Sequence, residues 1–411
     1  VSVSGPSGGQ PVELLHRPGS AGYRRLNLAM VLAGLAAFGL LYATQPVLPQ
    51  LAAEYAVAPT LASLAVSAST GALALTVIPV VGLARRYGRA RVMRGGLVAA
   101  VLLTVAVALA PDFTTLVVLR ALTGVALAAV AGVAMGHVGA EVHPAGLASA
   151  MGLYVSGNSL GGVSGRLVTS GVSDLAGWRW GVLALALAAA AVTVVFWRVL
   201  PDTVADDTGG PGEGASGAAG WPAPRVWLVA VVPFTLMGGF VAVYNYLGFR
   251  LSDPPFSLAP GLLGLVFLAY LAGSVSSAAA GRAADRWGRP GVLAASVLVM
   301  LAGLALTLPD RLVLVVVGLV VLTAGFFAAH GTASGWAPAV AGPGRGTRAS
   351  AVYVAAYYGG SSIFGLWLGE AWTTAGWDGV AAGVAVLAGT ALLAAAVLAA
   401  RTRRCQGRVL G

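Results

Sequence analysis

The chain has no lysine: all 24 basic residues among its 411 are arginine. A P-loop needs its lysine, so a built-in P-loop ATPase is excluded. Schiff-base chemistry on lysine, with pyridoxal phosphate or retinal, is excluded with it. Cysteine is nearly absent too. Cys405 stands alone, so the chain can form neither an internal disulfide nor a CxxC site. The histidines are His16, His137, His143 and His330, and no HExxH pattern joins any of them. No histidine–carboxylate cluster, nucleophile elbow or metal-ligand spacing occurs, so no catalytic residue, metal or cofactor is expected and the chain does not read as an enzyme. Charge itself is scarce, at 9% of residues, against about 25% in an ordinary soluble domain.

What is abundant is apolar surface: 58% of the residues are hydrophobic. Too little polar surface remains to cover such a core in water, and the lipid bilayer is the solvent that fits. The net charge of +10 then has a simple source. Arginines on short loops between apolar helices are the positive-inside signal of a membrane protein, not the footprint of a nucleic-acid binder.

A helix crosses the ~30 Å hydrocarbon core in about 20 residues. Twelve apolar stretches of that order lie at 27–48, 60–82, 91–110, 113–138, 146–168, 178–199, 226–249, 260–280, 291–308, 311–335, 349–370 and 377–400. Prolines 49, 59, 111, 144, 254, 255, 260, 309 and 338 punctuate them. With the N-terminus in the cytoplasm, 19 arginines fall on cytoplasmic segments and only Arg179, Arg250 and Arg311 fall outside. That ratio places both termini in the cytoplasm of a multi-pass membrane protein. Arg120 and Arg166 remain inside helices.

Residues 1–25 are a polar lead-in without the apolar core of a signal peptide. Residues 201–225 are rich in Gly, Pro and acid and read as a cytoplasmic linker. They divide the chain into six helices over 26–200 and six over 226–400, followed by a basic tail at 401–411. The halves echo each other at an offset near 200: Arg86, Gly88 and Arg89 match Arg286, Gly288 and Arg289, and Pro59 matches Pro260. AlaSerAla at 148–150 likewise matches 349–351. Two six-helix halves in one orientation form a parallel repeat, the plan of many secondary transporters, with substrate bound between the halves.

At these residues the chain resembles the major facilitator superfamily. GRAADRWGR, residues 281–289, matches the family's loop signature G-x-x-x-D-R-x-G-R through Gly281, Asp285, Arg286, Gly288 and Arg289. VGLARRYGR, residues 81–89, departs from it at Val81 and Arg85. LVVLRALTGVALAA resembles the family's R-x-x-x-G motif through Arg120 and Gly124. GNSLGGVSG resembles the glycine-rich motif of exporters through Gly157, Gly161, Gly162 and Gly165. YATQPVLPQLAAEYAV, LYVSGNSLGGVSGR and YNYLGFRL resemble a bacterial inner-membrane branch of YnfM-like permeases.

The resemblance implies an all-α membrane protein with twelve transmembrane helices in two pseudo-symmetric six-helix bundles, working as a monomer. It also implies that the repeated loops are latches. Asp285 is expected to cap the start of the fifth helix, near Ala145–Ser149, where a carboxylate meets unpaired N–H groups and the positive end of the helix dipole. Arg85 would approach Arg345 and Arg348 at the start of helix 11, where it cannot latch in the same way. Closure should then rely on Asp285, with Arg85 turned to lipid phosphate or solvent. The alternative is that both loops are positive-inside anchors.

Arg120 is implied to couple protons to substrate movement; the alternative is a structural arginine bonded to carbonyls of its neighbours. No Asp or Glu lies centrally in any span, so a carboxylate partner for it is missing. His137 and His330, toward cytoplasmic helix ends, are the histidines offered for a proton path by residue type; the alternative is that each is a satisfied structural group. The four-residue spacing of Gly157, Gly161 and Gly165 lets helix backbones approach closely. Tyr42, Gln45, Asn158, Asn245, Tyr246, Tyr353 and Tyr357 are candidates to line a cavity that pairs apolar surface with a few fixed polar groups; Tyr246 also fits an interfacial aromatic belt. The functional expectation is a secondary transporter of a small molecule, coupled to protons and exporting its cargo. An importer of sugars or organic acids and a non-transporting receptor or scaffold are the alternatives.

Overall fold

The structure is a computed structural model that describes residues 15–201, 224–341 and 346–407. Most of the expected linker, the first fourteen residues and the last four lie outside the described residues, as do the side chains of Arg345 and Arg348. No strand occurs among the described residues. Ten helical segments are long and apolar enough to cross a bilayer. One of them joins two spans, because the element Gly346–Gly407 loses helical geometry at Ala375 and Gly376. A further helix, Pro144–Ala176, falls below that apolar standard because Gly and Ser run through it and Arg166 sits within it.

The twelve helices are α1 (Ala21–Glu54), α2 (Pro59–Tyr87), α3 (Arg89–Ala108), α4 (Phe113–Glu141), α5 (Pro144–Ala176) and α6 (Trp178–Val199). They continue with α7 (Pro224–Ser252), α8 (Pro260–Trp287), α9 (Arg289–Leu306), α10 (Leu312–Ala341), α11 (346–374) and α12 (377–407). Consecutive helices run antiparallel. One end of the molecule, the terminal face, therefore holds the start of α1, the 88 and 288 turns and the start of α5. The opposite, distal face holds the turns at 55–58, 109–112 and 253–259.

The repeat extends to backbone geometry. Gly88 and Gly288 turn the chain between helices with φ of 93° and 83°, in the left-handed region where a Cβ is strained. Ala56 and Ser257, with φ of 51° and 47°, occupy matching places just before Pro59 and Pro260, which open α2 and α8. Proline suits that first helical position because its missing N–H has no partner there anyway. Arginines close the distal ends of α3 and α9. Arg179 donates to Ala108 O at 3.1 Å and Ala110 O at 2.9 Å, and pairs with Glu54 at 2.7 Å. Arg250 donates to Thr307 O and Leu308 O and pairs with Asp310 at 2.9 Å. The guanidinium fork suits a helix end whose last carbonyls lack N–H partners.

Lipid offers helices no hydrophobic drive to associate, so close backbone approach has to hold them together. A Cβ at Gly157 would meet Val31 O of α1 at 2.5 Å, one at Gly161 would strike Leu35 O, and one at Gly165 would meet Gly39 Cα at 2.6 Å. The glycine motif is thus the seam between α5 and α1. Gly124 sits against Ser69 O of α2 in the same manner, and Gly360 of α11 against Phe234 O of α7. Asp112 caps α4, accepting from Thr115 N–H at 2.8 Å and its hydroxyl at 2.7 Å, and these bonds hold its carboxyl below the usual range.

The lead-in departs from the expected boundary. α1 begins at Ala21, capped by Ser20, and His16 exchanges backbone hydrogen bonds with Glu141 O and His143 N–H at the α4–α5 turn. Tyr23 adds a bond to Gly146 O at 3.0 Å.

Candidate functional site

α1 is not a continuous helix. Its regular part ends at Leu41, a tight turn occupies Gln45–Val47, and the helix resumes at Leu48. Pro46 and Pro49 lack backbone donors and break the regular helix here. Arg120 of α4, fully buried, bonds to the carbonyls at the end of the regular part. Its Nη1 donates to Leu40 O at 2.9 Å, its Nη2 to Leu41 O and its Nε to Ala65 O of α2 at 2.8 Å. All three partners are backbone carbonyls, the arrangement that the structural alternative describes.

Four hydrogen bonds between described residues join the two halves, and all lie in the distal half of the molecule. Gln45 Nε2 donates to Asn245 Oδ1 at 2.8 Å. Ser362 donates to Ser67 O at 2.7 Å, Ser170 donates to Pro260 O, and Arg166 Nη2 reaches the Tyr270 hydroxyl at 3.5 Å. The Tyr246 hydroxyl donates to Gly365 O and Leu366 O of α11, and its ring stacks on Trp372. It is fully buried, a position in the distal packing and not in an interfacial belt.

At the terminal face the halves share no hydrogen bond between described residues. Arg85, Arg86 and Asp285 are exposed, and among the described residues the Asp285 side chain has neither a hydrogen bond nor an ion pair. The start of α5 is capped by the His143 side chain, which accepts from Ala145 N–H at 3.2 Å. The expected Asp285 cap is therefore not made in this structure, where His143 holds the cap position and Asp285 faces outward. Gly281 borders open space, as Gly82 does in the first half.

The expected cavity residues fall into two groups. Tyr42, Gln45 and Asn245 meet around Arg166, described below. Tyr353 and Tyr357 of α11 gather about His330 of α10: the Tyr353 hydroxyl lies 2.8 Å from His330 Nδ1, and the Tyr357 ring is 4.7 Å from the imidazole. Tyr357 and Tyr358 also neighbour Tyr42, so the groups adjoin across the interface. Asn158 instead turns to α1, its amide oxygen against Gly34.

Arg166 is the residue whose role sequence reasoning missed. It lies on α5 one position beyond the glycine motif and is only 2% exposed. Its Nε donates to Gln45 Oε1 at 2.8 Å and its Nη1 to Gly162 O at 2.6 Å. Its guanidinium carbon lies 4.4 Å from the Tyr42 ring centroid, 4.8 Å from Tyr270 and 4.9 Å from Phe267. Placing an arginine at mid-membrane costs ~2.5–3.5 kcal/mol on insertion scales. Each desolvated cation–π contact returns ~0.5–2 kcal/mol, so three rings offset the cost without supplying a negative charge. The available signal was the rule that an intramembrane arginine marks function by default.

The profile of the Major Facilitator Superfamily matches residues 28–363. The chain belongs to the major facilitator superfamily. It is 38% identical to the inner membrane transport protein YnfM of Escherichia coli (strain K12) over 387 residues, 93% of this chain and 92% of the relative. It is 27% identical to a chloramphenicol efflux pump of Mycobacterium tuberculosis (strain H37Rv) over 274 residues, 65% of this chain and 66% of the relative. In fold it is similar to a bacterial homologue of the human lysosomal transporter Spinster, with a TM-score of 0.74 at 16% identity over 94% of this chain and 98% of that one. Membership makes this superfamily protein a multi-pass membrane transporter and not an enzyme.

Proposed function

We propose that the protein is a proton-linked secondary transporter that exports a small molecule by alternating access. The observation that carries this reading is the asymmetry of the interface between the halves. Polar side chains and helix backbones seal the distal half, while Arg85, Arg86, Asp285 and Arg286 of the terminal face stand exposed. In our reading the terminal face is cytoplasmic, which the arginine distribution supports, the linker and tail are cytoplasmic, and the chain works as a monomer. The structure is then the inward-open state. Asp285, Arg286 and Arg289 close that face in the opposite state, with Arg85, Arg86 and Arg89 as membrane-surface anchors.

Export follows the name of the M. tuberculosis relative and the exporter-like glycine motif. The cargo binds between the halves near Tyr42, Asn245, Tyr353 and Tyr357. Arg120 is bonded to carbonyls, so the titratable group we assign to proton coupling is His330, half-buried beside the interface and bonded to Tyr353.

A reversible lock tests the mechanism. A Cβ at Gly71 would lie 3.2 Å from Ser362 Cβ across the sealed side, close to disulfide geometry. Gly71→Cys with Ser362→Cys, in a Cys405→Ser background, is reconstituted in liposomes with an imposed pH gradient and a broad compound panel. Oxidation should abolish flux and a reductant should restore it. Full flux in the cross-linked protein would exclude alternating access at this interface. No flux of any compound in the parent would favour a receptor or scaffold.

A further inference from the structure

We infer that Arg166 is an anion-binding residue of the site between the halves, and that the cargo is an aromatic monocarboxylate. The inference rests on the transport reading above and deepens it by naming a substrate class.

The argument starts from an unbalanced charge. Among the described residues no carboxylate oxygen lies within 4.0 Å of Arg166. Its neighbours are neutral: Gln45, the Gly162 carbonyl, and the rings of Tyr42, Tyr270 and Phe267. Arg120, the other fully enclosed arginine, differs in function. Each of its three nitrogens is bonded to a carbonyl at a helix break, all within one half, so it has a structural reason to be where it is. Arg166 closes no such break. Of its five N–H groups, one goes to Gln45, one to the carbonyl of its own helical turn and one, at 3.5 Å, to the Tyr270 hydroxyl. Two remain unused.

A second observation is independent of the arginine. The hydroxyls of Tyr42 and Ser361 are buried and face each other across the two halves, and neither bonds to any other group. Buried polar groups normally have fuller partners than this. A hydroxyl pair with only itself for company, one of the two on a ring 4.4 Å from an unneutralised guanidinium, lines a site for a polar group that is itself rich in acceptors. A crevice of about 10 Å³ adjoins the cage between Gln45, Tyr244 and Phe267, so the packing around it is already open by roughly one water.

The chemistry narrows the ligand. A carboxylate accepts two parallel hydrogen bonds from a guanidinium fork, and one negative charge neutralises the one cation. A phosphate dianion would leave excess negative charge in a low-dielectric site that has no second cation. The surrounding rings of Tyr42, Phe267, Tyr270 and Tyr357 offer faces and edges to an aromatic body. The cage also couples binding to gating. Gln45 bonds both Arg166 and Asn245, and Tyr270 comes from the other half. In this state Gln45 and the three rings stand in for the anion; an acid entering from the open terminal face displaces Gln45 from Arg166, which loosens the Gln45–Asn245 bond and with it the distal seal.

The test is binding to the purified full-length protein in lipid nanodiscs. The probes are benzoate, 4-hydroxybenzoate, phenylacetate and indole-3-acetate, each compared with its primary amide. At least one acid should bind about tenfold to a hundredfold more tightly than its amide, the range of a charge-assisted hydrogen bond. Arg166→Gln should remove that preference. Because Arg166→Gln can fail to fold, Gln45→Glu provides a second variant. It places an internal carboxylate 2.8 Å from Nε, so it should keep or raise the melting temperature and still abolish the acid preference. Equal affinity for acids and amides, an undiminished preference in either folded variant, or no acid bound at all would each overturn the assignment. The two readings fail separately. Flux of neutral compounds with no acid preference would leave transport standing and remove the anion site. Acid binding lost in both variants but with no flux would keep the site and remove transport.

Discussion

Gln45 and Asn245 meet across the two halves of the molecule at 2.8 Å, and Gln45 is held from behind by Arg166 at the same distance. Gln45 sits in the turn that interrupts α1, and Asn245 lies in the last two turns of α7. The same side chain therefore serves the candidate binding site and the distal seal. Asn245→Ala removes one inter-half bond while leaving Gln45 on Arg166. A net hydrogen bond is worth about 0.5–1.5 kcal/mol, so the sealed state should lose population relative to the distal-open state by about 2- to 12-fold. The measurement is the labelling rate of Leu263→Cys by a membrane-impermeant maleimide in a Cys405→Ser background. Leu263 is buried at the start of α8 in the sealed state. An unchanged rate would mean that the bond does not contribute to closure.

The α1–α5 seam makes a sharper demand on size than on polarity. Gly161→Ala would drive a methyl group into the Leu35 carbonyl, a backbone atom that cannot rotate away, whereas Gly171 on the same helix borders open space. Overpacking costs about 1–3 kcal/mol, so Gly161→Ala should lower the melting temperature in detergent and reduce folded yield. Gly171→Ala should leave both within error or raise them slightly, since alanine is the better helix former. Equal behaviour of the two variants would show that α1 and α5 do not pack this closely.

The spans were legible because they depend on local composition, that is, on apolar length. The repeat was legible too, since Gly88 and Gly288 are fixed by a left-handed turn that other residues enter with strain. Even α5, too polar by its mean composition, was readable from its place in the alternation. Other features were closed to sequence reading. Tyr42, Phe267 and Tyr270 surround Arg166 only through tertiary packing, and no spacing links them to residue 166. Asp285 could be read as a latch from its motif, but whether the latch is made depends on the state of the whole molecule. His330 lies within α10, about three turns from its end, and its contacts with Phe326, Tyr353 and Tyr357 depend on how α10 rotates against α11.

Arg120 separates what a motif suggests from what geometry requires. Its motif points to proton coupling, whereas its guanidinium is held by three carbonyls at the breaks of α1 and α2. Removing it would delete three buried charge-assisted hydrogen bonds, worth about 1.5–3 kcal/mol each, although Leu40 O keeps the Ala43 N–H and Ala65 O keeps the Thr44 hydroxyl. Arg120→Ala should therefore reduce folded yield and melting temperature strongly. Lysine keeps the charge but has a single ammonium in place of the fork, so Arg120→Lys should recover little of that stability. A coupling role makes the opposite forecast: Arg120→Lys would fold like the parent and alter only the dependence of flux on the pH gradient. Melting temperature and gradient-driven flux, measured on the same Arg120→Lys preparation, separate the two. A folded protein with parental stability and uncoupled flux would return Arg120 to the proton path, whereas a destabilised protein whose residual flux still follows the gradient would fix it as the staple of the α1 break.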